Sequence, residues 1–154
     1  MKKIAFISLF LCYSLASSAQ GSKDIRWISF EQLSDSLKVN PKKVLLFFHT
    51  DWCAFCKKME RETFKNKHVI EKINSEYYAV NMDAETVDTL YFEQIAYTNK
   101  TNIKKTNQYH KLAELFFTSK QKPVFPLTVI LSQEFIPVHR ENNYLSIKQL
   151  LKIL

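Results

Sequence analysis

Behind Ser29, apolar residues fall at Phe30, Leu33 and Leu37, the spacing of one helical face, and Gln32 sits where a capping box needs it. Asn40-Pro41 ends that helix. Lys43 to His49 (KVLLFFH) is a near-continuous apolar run, as expected of a strand covered on both faces. After the connector Thr50-Asp51-Trp52, the pattern predicts a helix from Cys53 to Asn66, with Met59 and Phe64 as core contacts. A second helical stretch around Val69, Ile70 and Ile73 leads into a strand over Tyr77 to Met82, ending at Asp83. Residues 84–109 break this rhythm: Thr89 to Thr98 has strand composition and reads as a hairpin, and Asn99 to Gln108 is polar and turn-rich. His110 to Phe117 is helical in pattern. Pro123-Val124-Phe125-Pro126 then precedes a strand at Leu127 to Leu131, a turn at Ser132 to Glu134, a strand at Phe135 to Val138, and a helix from Ile147 to Leu154 capped by Ser146. The order α, β, α, β, α, β, β, α predicts an α/β fold, one central mixed β-sheet flanked by helices, with 84–109 as an insert.

Composition narrows the class. A chain of 154 residues with 46% hydrophobic and 24% charged residues is long enough for one domain with a core. Glycine occurs once, which excludes Gly-rich phosphate loops. The basic residues are scattered, with no stripe interleaved with aromatics, so nothing points to nucleic acid.

The first residues, MKKIAFISLFLCYSLASSAQ, pair a positive start (Lys2, Lys3) with an apolar stretch from Ile4 to Leu15 and small residues at Ser17-Ser18-Ala19. This predicts a signal peptide over residues 1–19, a mature domain over 20–154, and export. Leu11 is too bulky and Cys12 too early for a lipoprotein signal. No later apolar run reaches the roughly 18 residues of a membrane span, so the mature chain is expected to have none. Losing Lys2 and Lys3 leaves 20 basic against 15 acidic residues and lowers the net charge from +7 to +5. Losing Cys12 leaves two cysteines, Cys53 and Cys56.

A cysteine at a helix start faces unpaired N–H groups and the positive end of the dipole, which favour thiolate and make Cys53 the expected nucleophile. Cys56 lies one turn on, close enough to close a disulfide and resolve a mixed one. Lys57 adds positive charge and Trp52 an apolar cover. C-x-x-C spacing also suits half a zinc site. Zinc would need two more ligands, however, and His49, His68, His110 and His139 lack paired spacing, so no metal is expected.

The run Phe47-Phe48-His49-Thr50-Asp51-Trp52-Cys53-Ala54-Phe55-Cys56-Lys57 resembles the active-site region of the thioredoxin superfamily, especially exported bacterial thioredoxin-like proteins with a W-C-x-F-C-K-x-M pattern followed by E-T-F. Glu62-Thr63-Phe64, Val80 to Glu85, His110 to Ala113 and Phe125 to Val129 continue the likeness. The resemblance implies a thioredoxin-like fold and places Pro126 at the family's cis-proline. Phe125, just before it, would present its backbone to an extended substrate. It implies an exported thiol–disulfide oxidoreductase of the periplasm, acting as a reductase on protein thiols and disulfides. A membrane or periplasmic partner would recycle it, and no cofactor would be needed. The competing reading is a non-catalytic binding module on the same scaffold. Thioredoxin's buried acid is replaced by Phe47, with His49 or Glu60 as possible substitutes. Ala-Phe separates the cysteines where thioredoxin has Gly-Pro, and the glycine usual after the last strand is missing near His139-Arg140. The insert's Tyr91, Phe92, Tyr97 and Tyr109 either cover an edge of the sheet or meet a partner.

Overall fold

A computed structural model of the chain describes residues 22–118 and 122–154; the expected leader at 1–19 lies outside the described residues. Helix α1 spans Phe30–Val39 and starts with the expected reciprocal cap: Ser29 Oγ accepts from the Gln32 amide at 3.1 Å, and Gln32 Oε1 accepts from the Ser29 amide at 3.0 Å. Strand β1, Lys43–His49, is buried from Val44 through Phe48, as its apolar run requires. Helix α2 (Ala54–Arg61) and helix α3 (Lys67–Glu76) follow, and β2 (Tyr77–Asp83) runs parallel to β1.

The short strands β3 (Leu90–Phe92) and β4 (Ile95–Tyr97) form the expected hairpin. Helix α4 (Lys111–Glu114), β5 (Leu127–Leu131), β6 (Pro137–Glu141) and helix α5 (Ile147–Ile153) complete the order. The main sheet runs β2-β1-β5-β6, with β5 antiparallel to both neighbours. Segment 22–28 covers the outer edge of β2: Trp27 bridges to Ala79, and the Ile28 amide donates to the Ala79 carbonyl at 2.9 Å.

Three expected boundaries move. The helix from Cys53 ends at Arg61, and a 3₁₀ turn over Thr63–Lys65 follows. Thr63 and Phe64 are both buried, and Thr63 Oγ1 donates to the Leu145 carbonyl at 2.8 Å, which bends the chain inward. The helix expected over His110 to Phe117 is regular only to Glu114; tighter turns beyond it seat Phe116 and Phe117 against Phe48, with ring centroids 5.4 and 6.5 Å away. The last strand starts at Pro137 rather than Phe135. Phe135 instead takes φ 61° to close the turn, its amide bonded to the Ser132 carbonyl at 3.1 Å.

The hairpin tip, Glu93 (φ 50°) and Gln94 (φ 64°), is also left-handed, as a two-residue turn between twisted strands requires. Ser34 Oγ on α1 donates to Glu93 Oε1 at 2.9 Å, and Phe92 packs on Phe30 and Phe135 at 5.6 and 5.3 Å. Phe92, Tyr97 and Tyr109 therefore pack against the core, while Tyr91 is exposed.

Candidate redox site

The register brings the site to one end of the sheet. β1 stops at His49, and β5 begins with Leu127 opposite Phe48, so Pro126 and the connector after β1 meet at the same end. The Cys53 amide bonds to the Thr50 carbonyl at 3.1 Å, a turn that sets Cys53 as the N-cap of α2. Cys53 and Cys56 are joined by a disulfide with Cα atoms 5.3 Å apart. The Cys56 amide donates to Cys53 Sγ at 3.1 Å, so a backbone N–H of the helix start already points at the sulfur that would carry thiolate charge. Cys56 is buried more deeply than Cys53, on the face that carries Met59 into the core.

Phe125–Pro126 is a cis peptide, as expected, and both residues are buried. Phe125, Pro126, Phe55, Val124 and the loop Asn142-Asn143-Tyr144 line a groove of about 300 Å³. Phe55, the residue before Cys56, is exposed in this groove, with the Tyr144 ring 6.4 Å away. Lys58 Nζ lies 5.0 Å from the Tyr144 centroid. Tyr144 stands in the loop after β6, whereas His139-Arg140, near which the usual glycine is missing, lie within the strand. Phe55→Ser should therefore leave stability within about 0.5 kcal/mol, because the ring is exposed. It should lower kcat/KM for a protein disulfide about fivefold, for roughly 1 kcal/mol of lost apolar contact. Turnover of a small disulfide measured alongside should not change.

Trp52 is half-exposed, with its ring edge-on to Phe125 at 6.2 Å. Its indole N–H donates to both carboxylate oxygens of Glu85 at 3.1 Å, and the Asn107 amide donates to Glu85 Oε1 at 2.6 Å. Glu85 is only 2% exposed, so these donors stand in for water around its carboxylate. Lys104 reaches Asp51 Oδ2 at 2.5 Å and also contacts Asp83 Oδ2. The hydrogen bond from Lys104 holds the Asp51 carboxyl below its ordinary range; burial opposes the shift but is outweighed. Burial would lower the Lys104 pKa, yet bonding to Asp51 and Asp83 raises it.

Of the other expected residues, Lys57 is exposed on the first turn of α2. The half-buried His49 ring stacks on Phe47 at 6.1 Å and 24°. Glu60 lies one turn beyond Cys56, with Oε1 3.5 Å from Asn81 Nδ2. Asn81 is the cross-strand partner of Phe47, and with Glu60 it borders a cavity of about 270 Å³. Glu60 thus reaches the cross-strand neighbour of Phe47 from the helix. Glu85, Lys104 and Tyr144 were missed from the sequence. Lys104 lies in a polar run without periodicity, and nothing in Asp83-Ala84-Glu85 marks which carboxylate is buried.

His110 is fully buried as the N-cap of α4. Its Nδ1 accepts the Leu112 amide at 3.2 Å, which leaves Nε2–H to donate to the Asp88 and Tyr97 carbonyls, each at 3.1 Å. Burial lowers its pKa, against the opposing pull of the two carbonyls. The unfolded chain therefore takes up a proton near about pH 6.5 that the folded chain refuses. Stability is complete above that pH and declines as pH falls towards the folded value. Urea unfolding at about pH 7.5 and pH 5 should show this decline, and His110→Gln should reduce it.

Residues 30–154 match the thioredoxin-like domain family, and the chain belongs to that family. Over 55 residues it is 33% identical to the thiol:disulfide interchange protein DsbD of Campylobacter jejuni, a stretch that is 36% of this chain and 10% of the relative. The chain thus spans about a tenth of the length of the curated relatives it matches. Among solved structures, a DsbH oxidoreductase superposes with a TM-score of 0.57 at 17% identity, covering 86% of this chain and 84% of that one. A thioredoxin from Thermus thermophilus gives 0.60 at 16%, covering 84% of each chain. The C-terminal domain of Neisseria meningitidis DsbD, in its oxidised form, gives 0.52 at 16%, covering 80% of this chain and 87% of that one. At these identities the likeness is one of fold.

Proposed function

We propose that the protein is an exported thiol–disulfide oxidoreductase that reduces protein disulfides in the periplasm of a Gram-negative bacterium. The observation that carries this reading is the Cys53–Cys56 disulfide at the start of α2, with Phe55 reaching into the groove of Phe125 and cis Pro126. In the reduced protein, the Cys53 thiolate attacks one sulfur of a substrate disulfide. The Cys53–substrate bond forms, and the other substrate sulfur leaves as a thiolate that takes a proton. Cys56, losing its own proton, then attacks Cys53 Sγ; the internal disulfide forms, and the second substrate thiol departs. Two electrons pass to the substrate, and no dissociable cofactor takes part. Trp52 and the Phe125 backbone position the substrate, Lys57 favours thiolate, and Glu60 or His49 accepts the Cys56 proton.

Each turnover leaves the protein oxidised, so a thiol donor must restore it. We assign that role to a membrane or periplasmic redox protein that donates thiols. Signal sequence, export and a mature domain beginning at residue 20 belong to the same proposal.

The deciding measurement is the equilibrium potential of the pair against glutathione, with Cys53→Ser as the control. A value near about −270 mV supports a reductase, and one near about −120 mV points to an oxidase. A pair that forms no reversible disulfide overturns the enzymatic reading and leaves a binding module.

A further inference from the structure

Two side chains tie the segment between β2 and α4 to the connector that precedes Cys53. Glu85 holds the Trp52 indole and the Asn107 amide on one carboxylate, and Lys104 bridges Asp51 and Asp83. The segment is itself braced: Asn99 Nδ2 donates to the Thr86 and Gln108 carbonyls at 2.9 and 3.1 Å, and the His110 amide bonds to the Ala84 carbonyl at 2.8 Å. The Lys104 ammonium is therefore delivered to a fixed place.

Charged residues flank the cysteine pair in the chain and stand at the adjoining ends of β1 and β2. Asp51 lies two residues before Cys53 in the connector, Asp83 ends β2, and Glu85 follows it. Lys57 stands on the first turn of α2, and the His49 imidazole is at the end of β1. Left unpaired, Asp51, two residues from Cys53 in the chain, and the acids at the end of β2 would oppose a thiolate on Cys53. Lys104 faces two of them and is the cation in contact with both.

We propose that Lys104 is a positioning residue for the thiol chemistry: bridging Asp51 and Asp83, it cancels negative charge beside Cys53 and so keeps Cys53 reactive. The proposal rests on the thiol–disulfide reading above. It gives the 99–108 loop a role that the cysteine motif does not contain. The Lys104 side chain is partly exposed, so its charge acts through solvent-screened Coulomb interaction and its effect weakens as salt is added.

The test uses the reduced mature chain carrying Cys56→Ser, so that Cys53 alone is titrated by its thiolate absorbance and its iodoacetamide alkylation rate. At low salt, Lys104→Met should move the Cys53 titration to higher pH and slow alkylation at neutral pH about threefold to tenfold, the equivalent of half to one pH unit. Lys104→Arg keeps the cation and should react like the parent. Lys104→Met combined with Asp51→Asn restores the local charge balance and should recover the rate, a coupling that a double-mutant cycle measures. Added salt should shrink the difference between Lys104→Met and the parent.

An unchanged titration in Lys104→Met overturns the proposal. So does a slow Lys104→Met, Asp51→Asn combination, which would show that loop packing rather than charge is responsible. A parent protein whose cysteine pair forms no reversible disulfide fails at the earlier potential measurement, independently of any Lys104 variant.

Discussion

Cys53→Ser is expected to abolish disulfide exchange, whereas Cys56→Ser should stop the reaction halfway and accumulate covalent complexes with protein substrates. The difference follows from the geometry at the start of α2. Cys53 caps the helix and its Sγ receives the Cys56 amide hydrogen bond, whereas Cys56 lies within the helix and is buried in the core. Without Cys53 the attacking sulfur is gone, and the rate should fall to that of the uncatalysed reaction. Without Cys56 the first attack remains, but no internal thiol displaces the substrate, so the mixed disulfide persists until an external thiol arrives. Non-reducing electrophoresis of each variant after incubation with a reducible protein substrate reads both outcomes. Equal trapping by the two variants would contradict the assignment of roles, and no trapping by Cys56→Ser would contradict exchange itself.

Phe47→Ala should cost about 3–5 kcal/mol of stability. Phe47 is fully buried at the centre of β1, with Phe64 4.8 Å away edge-on, Trp27 at 6.5 Å and the His49 ring at 6.1 Å. Truncation opens a cavity beneath the 3₁₀ turn and the N-terminal edge segment together. Against a total of about 5–15 kcal/mol, that loss is a large fraction. It should appear as a lower urea midpoint with an unchanged slope. Phe47→Asp, which would place a carboxylate where thioredoxin has one, should destabilise further, because it loses the same ring packing and in addition takes a charged group out of water.

The central elements were legible because their signals are local. The run Lys43 to His49 has the apolar continuity expected of a strand covered on both faces, and Ser29 with Gln32, or Ser146 with Gln149, carries its cap in four residues. The cysteines, Trp52 and Pro126 were legible because their spacing and context carry chemistry. What could not be read depends on partners distant in sequence. The helix from Cys53 ends at Arg61 because Thr63 finds the Leu145 carbonyl, 82 residues on. Lys104 matters because the loop returns it to Asp51, 53 residues away, and Glu85 because Trp52 and Asn107 converge on it. The start of β6 was misplaced because Phe135 adopts a backbone region that its side chain disfavours, so no residue preference announces the turn.

That turn also bears on the denatured chain. The sequence holds one glycine, Gly21, and the left-handed positions among the described residues are filled by Glu93, Gln94, Asn107 and Phe135. Each accepts local steric cost in the native state, partly offset by contacts a glycine could not make, such as the stack of Phe135 on Phe92. In exchange, the unfolded ensemble lacks the extra backbone freedom that glycines would give it, and the conformational entropy lost on folding is smaller. The fold thus draws part of its stability from how little its unfolded state can wander.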